Sequence, residues 1–98
     1  MTYVNLGSVR AFPGSAPTKA QALKPLEEAA EVFGAWQRWE LSLGRITRGN
    51  LIREYLLDEI ADTIQACCNL AAALGVDDLA PYLARCEEHN RERGRYDR

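Results

Sequence analysis

Two long stretches of the chain, Thr18 to Leu43 and Leu51 to Leu74, carry apolar residues at three- and four-residue spacing, and a segment with Gly44 and Gly49 separates them. That pattern predicts two helices joined by a short connection, which makes them antiparallel neighbours. Thr18 followed by Gln21 is a capping-box start for the first helix. Pro25 either bends its opening turns or marks a later start. The spacing puts Leu26, Ala30 and Phe33 on one stripe, flanked by Ala22, Ala29 and Trp36, with Val32 and Trp39 on another side. In the second helix the predicted apolar face is Ile52, Leu56, Ile60, Thr63, Ile64, Cys67, Ala71 and Leu74, and Gly75 supplies the stop. Asp77 or Asp78 caps a third helix from about Leu79 to Arg91, with Pro81 in its first turn. No segment alternates with period two. The expected fold is all-α: an antiparallel helical hairpin plus a third helix, completing a four-helix-type bundle by oligomerisation.

Residues 1–17, with Gly7, Pro13, Gly14 and Pro17, read as an irregular arm whose Tyr3, Val4, Leu6 and Phe12 the pattern does not place. Residues 18–98 read as one domain. A chain of 98 residues has a limited core, and apolar residues on several helix faces favour a homodimer or homotetramer. The net charge of −2, from 12 basic and 14 acidic residues, argues against a nucleic-acid partner. The stretch Ala66 to Val76 is too short to span a bilayer, and the start of the chain has no apolar run behind a basic segment. A cytoplasmic protein without a membrane partner is therefore expected. Cys67, Cys68 and Cys86 make a poor disulfide framework and read as small buried thiols. His89 is the one histidine, which argues against zinc.

The chemistry lies in the acids. Glu28 and Glu31 are three apart on the first helix, and Glu59 and Asp62 repeat that spacing on the second. Each pair therefore shares a helix face. Glu59 borders the apolar seam, where a charge meets the neighbouring helix. Carboxylates gathered there repel and raise one another's pKa values, and a hard divalent cation with oxygen ligands relieves the repulsion. Inward carboxylates on paired helices are a recurrent metal-site design. Acidic clusters on helices are also commonly solvated faces.

Glu27-Glu28-Ala29-Ala30-Glu31 and Glu59-Ile60-Ala61-Asp62 resemble the E-E-x-x-E and E-x-x-D signatures of MazG-like nucleoside triphosphate pyrophosphohydrolases, with the 27 residues from Val32 to Asp58 between them. The resemblance covers about Thr18 to Tyr96. It implies an all-α enzyme that cleaves between the α and β phosphates of a nucleoside triphosphate, giving the monophosphate and pyrophosphate. It implies Glu28, Glu31, Glu59 and Asp62 as ligands of Mg²⁺, for which Mn²⁺ can substitute. Glu27 is a spare catalytic carboxylate, although its helix position suits solvent equally well. The segment Asn90-Arg91-Glu92-Arg93-Gly94-Arg95-Tyr96 resembles the Asn- and Arg-rich ends of small members, which makes Asn90, Arg91 and Arg93 candidate substrate contacts. Arg45, Arg48 and Arg53 are alternative phosphate partners, and Trp36 and Trp39 are candidates for stacking on a base.

Two competing functions follow from the same residues. Phosphoribosyl-ATP pyrophosphohydrolases pair acidic helices at this size, but Thr63-Ile64-Gln65-Ala66 after Asp62 departs from their Tyr-His continuation. A non-catalytic helical dimerisation module is the alternative outside enzymology.

Overall fold

The computed structural model describes residues 2–43 and 49–97. They form three helices, α1 (Lys19–Ser42), α2 (Gly49–Ala73) and α3 (Ala80–Glu92), with no strand among the described residues. Among the described residues no helix is long and apolar enough to cross a membrane.

The helix ends follow from local chemistry. Thr18 is the N-cap of α1, and its hydroxyl accepts the Gln21 N–H at 3.2 Å. Pro25 lies inside α1, so the proline does not set the start. Gly75 ends α2 at φ +81°, where the Gly75 N–H bonds to the Ala72 carbonyl and the Val76 N–H to that of Ala71. This double closure needs a left-handed residue, a conformation glycine adopts without steric cost. Gly94 closes α3 in the same way, at φ +71° with bonds to Arg91 and Asn90. Asp78 accepts the Ala80 N–H at 2.9 Å and orders the entry to α3.

α1 and α2 pack along their length as a hairpin, while no Cα of α3 comes within 8 Å of either among the described residues. The seam differs from the stripes read in the sequence. Ala35, Ser42, Ala66, Asn69 and Glu59 are its buried residues, with Val32, Trp39, Ile52 and Leu56 half-buried. Leu26, Phe33 and Trp36, expected on the packed stripe, are 68%, 49% and 43% exposed. Leu26 and Phe33 stand about 180° round α1 from Ala35, at 100° per residue. On α2, Ile60 and Cys67 are likewise exposed, as is Leu74 just past its end. Both helices carry apolar residues on two sides, and the hairpin covers only one. The buried residues there include the small side chains Ala35, Ser42 and Ala66. Cys67 and Cys86 are exposed free thiols and Cys68 is half-buried, so the expectation of buried thiols fails for two of the three.

The arm is placed by α2. The side-chain oxygen of Asn69 accepts the Phe12 N–H at 3.0 Å, and the Gln65 amide donates to the Arg10 carbonyl at 2.8 Å.

Candidate metal centre

The close seam gathers acids from both helices. Glu28 is half-buried on the α2 side of α1, Glu59 is only 8% exposed, and Asp62 lies in solvent one turn further along α2. One carboxylate oxygen from each of Glu28, Glu59 and Asp62 lies within 4.8 Å of the other two. A Glu59 oxygen shut off from water has no hydrogen-bond partner among the described residues. A buried acceptor left unpaired is costly, and more so when charged.

Glu59 responds accordingly. Burial pushes its carboxyl above the usual carboxylate range, and the neighbouring Glu31 carboxyl pushes the same way. The Tyr55 hydroxyl, one turn earlier on α2, favours the charged form, while the charges of Glu31 and Asp62 oppose it. Tyr55 also bridges the hairpin, since the Arg38 guanidinium carbon sits 5.3 Å from its ring centroid. The Lys24 ammonium lies 3.1 Å from Glu27, whose hydrogen bond and charge raise the lysine's pKa. Three oxygen donors on two helices, one buried and unsatisfied and one open to solvent, suit a hard divalent cation that keeps several outer positions for water or phosphate oxygens.

Of the acids singled out in the sequence, Glu28, Glu59 and Asp62 converge. Glu31 lies outside that set of three but close enough to act on Glu59. Glu27 is held by Lys24 on an exposed part of α1 and is not brought into the cluster. The substrate candidates divide. Arg91 is paired with Glu88, and with Glu87 at 3.6 Å. Asn90 and Arg93 share a different face of α3, where they line a shallow cleft of about 280 Å³ with Tyr82, Arg85, Cys86 and His89. Arg53 is bonded to Glu54 at 2.8 Å. Arg45 and Arg48 lie outside the described residues.

Sequence reasoning passed over Tyr82, Arg85 and His89 as companions of Asn90 and Arg93, and Tyr55 as the neighbour of Glu59. The signal was present: residues 82, 85, 89 and 93 are spaced by three and four, which places them on one helix face. The Arg85 guanidinium carbon lies 5.4 Å from the centroid of the Tyr82 ring. Compared with known proteins, the chain matches no family model, no curated protein and no solved structure.

Proposed function

We propose that this chain is a magnesium-dependent nucleoside triphosphate pyrophosphohydrolase of the kind its acidic motifs resemble, releasing nucleoside monophosphate and pyrophosphate. The observation that carries the reading is the buried Glu59 carboxylate, which converges with Glu28 and Asp62 and has one oxygen without a hydrogen-bond partner among the described residues. An acid in that setting is destabilising alone and stabilising with a cation beside it. Glu28, Glu59 and Asp62 would hold the ion, with Glu31 completing the ligand set. When bound, magnesium neutralises phosphate charge and makes a water more acidic.

The remaining steps belong to the chain. Glu31, beside Glu59 and open to solvent, would hold the ion through one carboxylate oxygen and accept the attacking water's proton on the other. The water oxygen joins one of the two phosphorus atoms flanking the α–β bridge, and the bridging oxygen leaves with the other fragment, so that monophosphate and pyrophosphate are the products. The α3 face of Asn90, Arg93, Arg85 and His89 offers donors to the triphosphate. That face does not pack on its own hairpin, so α3 reaches an acidic centre by closing down or from a neighbouring subunit.

The proposal includes a homodimer or homotetramer in the cytoplasm. Leu26, Phe33 and Trp36 form an exposed apolar side of α1 opposite the seam, with Phe33 and Trp36 in edge-to-face contact at 5.7 Å between centroids. A helix apolar on two sides buries the second against a partner. Sedimentation is expected to give a dimer or tetramer at micromolar concentration, and a stable monomer would contradict this part of the proposal.

The function is tested with a panel of nucleoside triphosphates, with and without magnesium. Monophosphate and pyrophosphate in equal amounts, formed only with the metal, are the expected products. Release of orthophosphate and diphosphate, or no turnover on any nucleotide, would overturn the reading. An inert protein that binds no metal would favour the dimerisation module.

A further inference from the structure

The arm is held by polar contacts rather than apolar packing. Asn69, 4% exposed, accepts the Phe12 N–H at 3.0 Å and a Gln65 N–H at 2.9 Å through one side-chain oxygen. Gln65 also donates to the Arg10 carbonyl at 2.8 Å, and the Ser15 hydroxyl donates to the Phe12 carbonyl at 3.0 Å. The backbone on both sides of Ala11 is thereby clamped to α2. The arm has two sides. Val9 and Ala11 line an apolar crevice of about 820 Å³ against Ile64, Cys68 and Leu83, whereas Phe12 lies outside that crevice with its side chain 60% exposed.

The clamp has a meaningful address. Asp62, Gln65 and Asn69 are spaced by three and four, so they form one stripe of α2. Asn69 lies about 10 Å beyond Asp62 along the helix axis, at 1.5 Å per residue. That span is comparable to the reach from a nucleotide's phosphates to its base. The chain thus fixes the backbone of an aromatic residue on the stripe that carries its acidic centre, yet leaves the ring mostly uncovered. A ring held at such a distance from bound phosphates can stack on a base, a contact that tolerates any base because every base has a π-face.

We propose that Phe12 is the base-stacking residue of this site, held in place by Gln65 and Asn69, and that it makes the site select nucleotides over bare polyphosphates. The proposal rests on the pyrophosphohydrolase reading. It predicts broad tolerance of the base, with purines held more tightly than pyrimidines because they offer more ring surface.

The test uses the full chain with magnesium and two probes: a nucleoside triphosphate analogue with a non-hydrolysable α–β bridge, and inorganic tripolyphosphate. Calorimetric titration of F12A is expected to show analogue affinity reduced by about fivefold or more. Tripolyphosphate affinity is expected to stay at the wild-type level, and Phe12→Tyr to retain analogue binding. Phe12 is exposed, so its truncation leaves the hairpin intact. Unchanged analogue affinity in F12A would overturn the proposal, including the case where F12A only weakens self-association and Phe12 is a subunit contact. Equal loss on both probes would overturn it as well, because the ring would then not be reading the base. A wild-type protein that binds neither probe with magnesium would overturn the pyrophosphohydrolase reading, and this one with it.

Discussion

Two regions carry acids at helical spacing, and the chain treats them in opposite ways. On α3, Glu87 and Glu88 sit in solvent or at its edge, and Arg91 from the next turn pairs with both. Their charges are answered locally, in water, where such pairs contribute about 0.3–0.5 kcal/mol. On the hairpin, Glu59 is turned into the seam, Glu28 and Asp62 converge on it, and a carboxylate oxygen has no donor among the described residues. The two sequence patterns look alike. What separates them is desolvation, which makes the same carboxylate nearly neutral to stability on α3 and a liability between α1 and α2. The proposed cation would relieve that liability by supplying positive charge beside Glu59.

The sharpest way to break this contrast is Glu59→Gln. The amide removes the charge without opening a cavity. Magnesium-dependent hydrolysis should fall by on the order of a thousandfold, the scale of losing a principal electrostatic contributor. The metal-free variant should melt at a higher temperature than metal-free wild type. Retained turnover, or a variant less stable than wild type without metal, would remove the distinction between the two regions.

Next in size is the division within α3. Deleting Asn90–Arg98 should weaken binding of a non-hydrolysable nucleotide about tenfold, equal to about 1.4 kcal/mol. Arg93→Ala should reproduce a good part of that loss and Arg91→Ala little of it, because Arg91 is already engaged by Glu87 and Glu88. Titrations of the three proteins at matched helicity and oligomeric state decide this. Equal affinities throughout would make the α3 face a solvated surface and return the phosphate contact to Arg45, Arg48 or Arg53.

A smaller effect separates the regions by pH. Without metal the fold holds the Glu59 carboxyl above its ordinary range, so the native state favours its protonated form. The resulting contribution to stability is complete below the ordinary carboxylate pKa and is lost as pH rises through the raised value. Metal-free wild type should lose stability relative to E59Q across that window. Cation affinity should rise across the same window as the proton is displaced. Parallel stability profiles for the two proteins would contradict this. The smallest effect is Arg91→Ala on thermal stability, expected at about 0.5 kcal/mol or less for exposed pairs. A loss of several times that would show that α3 depends on its ion pairs.

Helix ends were legible in the sequence because caps are local: Thr18 with Gln21, and Gly75 after the last turn of α2, act within a few residues. The packed face was not. Leu26, Ala30 and Phe33 form as good a stripe as Val32 and Trp39, and a helix apolar on two sides has no unique inside. The seam buries Ala35, Ser42, Ala66 and Asn69, whose small or polar side chains carry little weight in a hydrophobic pattern. Acid spacing singled out Glu28, Glu31, Glu59 and Asp62, since a three-residue step keeps two side chains on one face, but it did not show that Glu31 lies outside the three that converge. The burial of Glu59, and hence its unsatisfied oxygen, depends on how far the seam wraps round α2, which spacing along one helix does not encode. Likewise Gln65 and Asn69 read as ordinary polar residues in a helix, and their bonds to Arg10 and Phe12 cross more than fifty residues of chain.

Whether the buried acid is a cation site is tested most directly by titrating magnesium into metal-free wild type and E59Q by calorimetry at neutral pH, with a matching manganese titration. Wild type should bind the ion saturably, while E59Q should show no binding. Absence of binding in wild type, or equal binding in both proteins, would contradict the account.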